Sequence, residues 1–122
     1  PDADFDVTWG GWGADWSSAG TVIPPLFDSR INLTGDSNGN DYGNYKGGPE
    51  VNQMIDDAYA EPDLEAAADK WSAVDAKLGE DVAYIPLEIT IFNFVHGGKI
   101  TGYANNVSVN GYADLAVIGV EK

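Results

Sequence analysis

A chain of 122 residues is the size of one domain, or of a piece of a larger one, and can bury roughly two thirds of the surface it exposes when unfolded. Six Lys and Arg against twenty Asp and Glu leave a net charge of −14, a field that repels phosphate backbones and anionic headgroups, so nucleic acid and acidic membrane surfaces are not expected partners. The 43% apolar content, with four Trp, six Tyr and four Phe, exceeds that of a disordered acidic tail, and the lack of Cys excludes a disulfide framework, thiolate zinc sites and cysteine catalysis. The apolar runs fall short of the ~20 residues a membrane span needs, and an export signal is expected only on sequence beyond this chain.

From Asp4 to Trp9, acidic or polar residues alternate with Phe5, Val7 and Trp9, the period of a strand with one buried face. It runs into Gly10-Gly11-Trp12-Gly13-Ala14-Asp15-Trp16, where glycines permit close backbone approach while two indoles and a carboxylate supply chemistry. Between Ala19 and Phe27 the pattern predicts a short helix or turn that stops at Pro24-Pro25. Residues 34–48 carry five Gly and three Asn and read as a loop over the surface or across a cleft, anchored by Tyr42 and Tyr45. Pro49 suits the first turn of a helix whose Val51, Met54, Ile55 and Ala58 share a face and which ends near Glu61-Pro62. Asp63 can cap a second helix with the stripe Leu64, Ala67, Ala68, Trp71, Val74 and Leu78, ended by Gly79. Residues 83–95 then alternate Ile85, Leu87, Ile89 and Ile91 on one face, with Pro86 at the strand's start or edge. After a turn at Gly97-Gly98-Lys99, residues 100–103, 107–109 and 115–120 are short strand candidates.

The chemistry in these elements is sparse. An aromatic wall strengthens a carboxylate's attraction for a cation or amine by excluding water, which makes Asp15 between Trp12 and Trp16 the most suggestive local feature. The competing reading is a structural loop. Asp36-x-Asn38-x-Asn40 begins like a calcium loop, but Asp41 and Gly47 stand where its Gly and its bidentate Glu belong. His96 is the single histidine and reads as a surface residue beside a turn, so no metal site is expected. No serine sits in a nucleophile-elbow pattern, no phosphate loop follows Gly13, and among twenty carboxylates no pair is singled out for acid/base work. The helix stripe of residues 64–78 is the width of an ordinary core face rather than a docking face.

Collinearly over nearly the whole chain, these features resemble the C-terminal part of the family 5 extracellular solute-binding proteins, the oligopeptide, dipeptide and nickel receptors of ABC importers. The resemblance is carried by Phe5-Asp6-Val7 leading to Gly11-Trp12-Gly13-Ala14-Asp15-Trp16, by Asn44-Tyr45-Lys46 before Pro49-Glu50-Val51-Asn52-Gln53-Met54-Ile55, and by the helix pair around Asp63. It continues through Leu78-Gly79-Glu80-Asp81-Val82-Ala83-Tyr84-Ile85-Pro86-Leu87, Ile100-Thr101-Gly102-Tyr103 and Asp114-Leu115. It implies a mixed α/β chain, residues 1–122 forming one C-terminal segment of a two-lobed, periplasmic-binding-protein-like (type II) fold, with two helices packed on a mixed sheet.

By the same resemblance, Asp15 pairs with a ligand α-amino group and Trp12 lines the pocket, with Trp16, Trp9 and Tyr45 as further ligand-binding residues. Oligopeptide receptors can carry an arginine on the strand before this loop to hold the ligand carboxylate; here Trp9 stands there. The implied function is non-catalytic and needs no cofactor: capture of a peptide or similar small solute outside the cell, in the periplasm or at the cell envelope, and delivery to a membrane permease. A lipid anchor on the missing N-terminal part would hold the receptor at the membrane, and apolar patches on the fragment would stay exposed or be covered in a homodimer. The alternative is an autonomous carbohydrate- or protein-binding module using Trp9, Trp12, Trp16 and Tyr45.

Overall fold

A computed structural model describes residues 6–32, 44–106, 108 and 111–122. The element order is a 3-10 turn (Ala19–Thr21), α1 (Ile23–Phe27), α2 (Ser29–Asn32), α3 (Gly48–Tyr59), α4 (Leu64–Glu80), then β1 (Ile100–Thr101), β2 (Asn105–Asn106), β3 (Tyr112–Ala113) and β4 (Gly119–Val120). The calcium-like run at Asp36, Asn38 and Asn40 and the anchor Tyr42 lie outside the described residues, as does most of the 34–48 loop.

The helix pair forms where periodicity and caps coincide. In α3, Pro49 falls in the first turn, where its missing N–H leaves no bond unmade, and Val51, Ile55 and Ala58 are buried at one-turn and two-turn spacing. Asp63 caps α4 by accepting from the backbone N–H of Glu65 at 3.1 Å and of Ala66 at 2.9 Å. Across the corner, the Lys70 ammonium reaches Glu61 Oε2 at 2.6 Å and the Asp57 carbonyl at 3.3 Å, tying the end of α3 to the side of α4.

Past Gly79, α4 continues to Glu80 and closes in a Schellman motif: the Ala83 N–H donates to Leu78 O at 2.9 Å and the Val82 N–H to Gly79 O at 3.1 Å. The residue that takes the left-handed conformation is Val82, at φ 54. A β-branched side chain is strained there, and the helix ends at Glu80, one residue past the Gly79 that the sequence marks as its end.

Ile23, Val51, Ile55, Val74 and Leu78 make the core, with Phe27, Tyr45, Met54, Trp71 and Ala83 packed around them. Aromatic edges seal it: Phe27 meets Tyr45 at 6.0 Å, and Tyr59 meets Trp71 at 5.1 Å, both edge to face. Two details correct the helical expectations. The 3-10 turn at Ala19–Thr21 precedes the proline pair as expected, but Pro24-Pro25 then opens α1, because both prolines fall in its first turn and Pro24 supplies the carbonyl for the Asp28 N–H. Leu64, at the start of the α4 stripe, is 88% exposed because the leading turn of α4 overhangs the core.

The strand expectations are corrected more deeply. β1 pairs with β4 and β2 with β3, both antiparallel, and each ladder spans two residues. Residues 6–9 and 83–95 form no strand, and the core comes from residues 19–83, so the helices do not rest on a mixed sheet. The reason is physical: a strand is completed by a neighbour's backbone, and among the described residues nothing pairs with either segment. The chain is a mixed assembly of helices and small sheets, compatible with an α/β fold. No helix among the described residues is long and apolar enough to cross a membrane.

Candidate functional site

The loop of residues 10–16 is held by one buried residue that the sequence reading did not single out. Thr21 accepts the Trp12 indole N–H on its carbonyl at 2.8 Å, and its hydroxyl oxygen accepts the Asp15 backbone N–H at 3.2 Å while donating to Ser18 O at 2.9 Å. Thr21 is fixed in turn by its neighbour. The Tyr59 hydroxyl of α3 donates to Gly20 O at 2.6 Å, and its ring lies so near that a Cβ at position 20 would sit 3.0 Å from it. A Ser18 side chain accepting from the Gly20 N–H completes the turn.

This ties the loop to the helix pair through Tyr59, Gly20 and Thr21. What is left outward is the chemistry: the Asp15 side chain and the Trp16 indole are exposed, and Trp12 is 37% exposed, its N–H turned inward. None of the four ion pairs among the described residues includes Asp15. Beyond Trp16 the surface falls into an open groove of about 420 Å³, walled on one side by Ser17, Ser18 and Ile23 and on the other by Leu64, Ala68, Trp71 and Asp75 of α4. At its rim the Tyr84 hydroxyl donates to Asp75; that bond, and partial burial, push the phenol up to about 12.

The remaining sequence candidates are placed differently. Trp9 is strongly exposed and precedes the loop without pairing to another ring among the described residues. Tyr45 packs edge-on to Phe27, and its hydroxyl donates to Asp81 Oδ2 at 2.6 Å; burial first, then Asp81, raises its pKa well above the usual phenol range. It therefore serves the core and the α4 terminus rather than joining the tryptophans. His96 stacks on Tyr103 at 4.5 Å beside the Gly97 turn. Among the described residues no three His, Asp or Glu side chains converge to hold a metal ion.

The single arginine is committed elsewhere. The Arg30 guanidinium forks onto Asp56 with two 2.8 Å bonds and onto Asp28, a carboxylate that is 2% exposed, through Nε at 3.0 Å and Nη2 at 2.8 Å. The hydrogen bond from Arg30 holds the Asp56 carboxyl below its ordinary range. This clamp links α2 to α3 and leaves no guanidinium free to meet a ligand's carboxylate.

Set against known proteins, the chain is 28% identical over 104 residues to the periplasmic oligopeptide-binding protein OppA of Haemophilus influenzae. The chain is similar to part of an oligopeptide-binding protein. That match covers 85% of this chain and 17% of that protein, so the chain spans well under a quarter of its relative's length. No protein-family model matches the chain, and no solved structure does.

Proposed function

We propose that this chain is the C-terminal segment of a family 5 solute-binding protein, and that its 10–16 loop receives the free amine of a peptide or similar small solute outside the cytoplasmic membrane, for delivery to an ABC permease. The observation that carries the reading is the anchoring of Trp12 and the Asp15 backbone on Thr21, with the Asp15 side chain exposed next to Trp16 in sequence and in no ion pair among the described residues. An ammonium group supplies the charge this carboxylate lacks, and an adjoining indole face favours a cation and sheds water from the pair. The similarity to an oligopeptide-binding protein supports the same reading from sequence.

The fixed Arg30 narrows the ligand end. With its guanidinium held by Asp28 and Asp56, and Trp9 where an arginine would serve, this segment offers a carboxylate for the amine and no free guanidinium for a ligand's carboxylate. Receptor action is then non-catalytic: ligand bridges this segment and another lobe, and contacts made only in the closed state favour closure.

Calorimetric titration of the full-length protein with a peptide library tests the assignment. Asp15→Asn keeps the loop's backbone bond to Thr21 and removes the charge, so affinity for free-amine peptides is expected to fall about 10- to 100-fold, the range for a charge-assisted hydrogen bond. Unchanged affinity removes Asp15 from the site. A second reading, a carbohydrate-binding surface, is favoured by the exposure of Trp9 and Trp16, whose open faces could stack on sugar rings; saturable binding of oligosaccharides lost in Trp16→Ala would support it instead.

A further inference from the structure

Residues 84–96 form the most conspicuous unused feature of the molecule. Their two ends are tied: Ala83 closes the α4 Schellman motif, Tyr84 bonds Asp75, and Gly97 accepts from Ile100 across the following turn. Between those ties, no backbone–backbone hydrogen bond is made among the described residues, and the segment belongs to no helix or ladder although it is rich in β-branched residues. One side has partial cover, because Phe92 stacks on Phe94 at 6.5 Å and Phe94 meets Tyr112 of β3 edge-on at 5.6 Å. The other side, Ile85, Leu87, Ile89 and Ile91, is bare, with Ile89 95% exposed.

We infer that residues 84–96 are a strand completed by a strand from the remainder of the same longer polypeptide, which pairs with its backbone while an apolar layer of that remainder covers Ile85, Leu87, Ile89 and Ile91. This rests on the proposal that the chain is part of a larger receptor. An aliphatic row with an open ladder edge is a template for strand addition, and a short apolar segment holding one charge, Glu88, is an aggregation hazard when left uncovered.

Two observations select an occupant in the same chain over a second copy. Each copy carries −14, so pairing two copies concentrates like charge around the interface. The oligopeptide-binding protein it is similar to is far longer than the matched stretch, which fills 17% of that protein, and a covalently linked strand acts at high effective concentration.

Hydrogen exchange tests the inference without reference to ligand. The amides of residues 84–96 are compared in the 122-residue chain and in the full-length polypeptide that contains it, each at two concentrations. At least a 100-fold slowing in the full-length monomer is expected, lost again in Ile89→Lys while the amides of α3 and α4 stay protected. Equal exchange in both polypeptides, protection that survives Ile89→Lys, or a coding sequence that adds nothing to these residues would overturn it. Protection appearing in the 122-residue chain as its concentration rises would also overturn it, in favour of a second copy. Because peptide affinity does not enter this readout, a failure here and a failure of the Asp15 assignment are separately visible.

Discussion

Val82 is the clearest case of a single residue working against its own conformation. Its φ of 54 places a β-branched side chain in the left-handed region, at a cost of roughly 1–2 kcal/mol, because the Schellman motif needs that geometry to bring Ala83 back onto Leu78. Val82→Gly removes the strain and adds some unfolded-state entropy, so a net stabilisation of about 0.5–1 kcal/mol is expected, read as a rise of a few degrees in Tm. A lowered Tm would show that the Val82 side chain makes stabilising contacts its exposure does not suggest. The same residue explains why the helix runs one residue past Gly79: glycine is the usual left-handed cap, and nothing in the local pattern indicates that valine takes that place three residues later. Thr21 and Tyr59 escape a sequence reading for a related reason. They act through side-chain bonds to residues 9 and 39 positions away, and such contacts leave no periodic trace.

The two long helices, in contrast, were legible because several local signals agreed for each. Pro49 and the Val51, Ile55, Ala58 spacing define α3; Asp63, the Val74 and Leu78 spacing and the preceding proline define α4. Their packing is testable as a contrast along one stripe. Leu78 is fully buried at the centre of the core and Leu64 overhangs it, so Leu78→Ala is expected to destabilise by about 2–5 kcal/mol and Leu64→Ala by less than about 0.5 kcal/mol in denaturant unfolding. Equal losses would mean that the overhanging end of α4 is covered in solution. The strand segments were legible as composition and illegible as structure. Alternation at residues 6–9 and 83–95 states what a strand's faces would be, while the ladder itself depends on a neighbour that the described residues do not supply.

For the whole molecule, charge sets the response to pH. Arg30, Lys70 and Lys77 donate to Asp56, Glu61 and Asp81 respectively, Tyr45 also donates to Asp81, and each carboxyl is thereby held below its ordinary value. Groups whose folded-state pKa is depressed contribute stability above the unfolded carboxylate range, at about pH 4, and lose it as pH falls through the lower folded values. These pairs are exposed, so each contribution is small and screened by salt. Repulsion among the excess carboxylates acts in the opposite direction, falling as pH drops from 7 and protons begin to bind. Thermal unfolding is therefore expected to show Tm rising with added salt at pH 7, a maximum between about pH 4 and 6, and a fall below that. A Tm that declines steadily from pH 7 downward would show that the ion pairs outweigh the net repulsion.

The same distribution of charge is asymmetric: the sole guanidinium is clamped inside an α2–α3 tie, while Asp15, on a loop braced from α3, joins no ion pair among the described residues. The most direct measurement of its role is a double comparison by calorimetry, pairing the wild-type full-length protein and Asp15→Asn with one peptide ligand in free-amine and N-acetylated forms. Acetylation is expected to weaken wild-type binding about 10- to 100-fold and to have little further effect in Asp15→Asn. Equal binding of the two peptides by the wild-type protein, or the same loss on acetylation in both proteins, would contradict it.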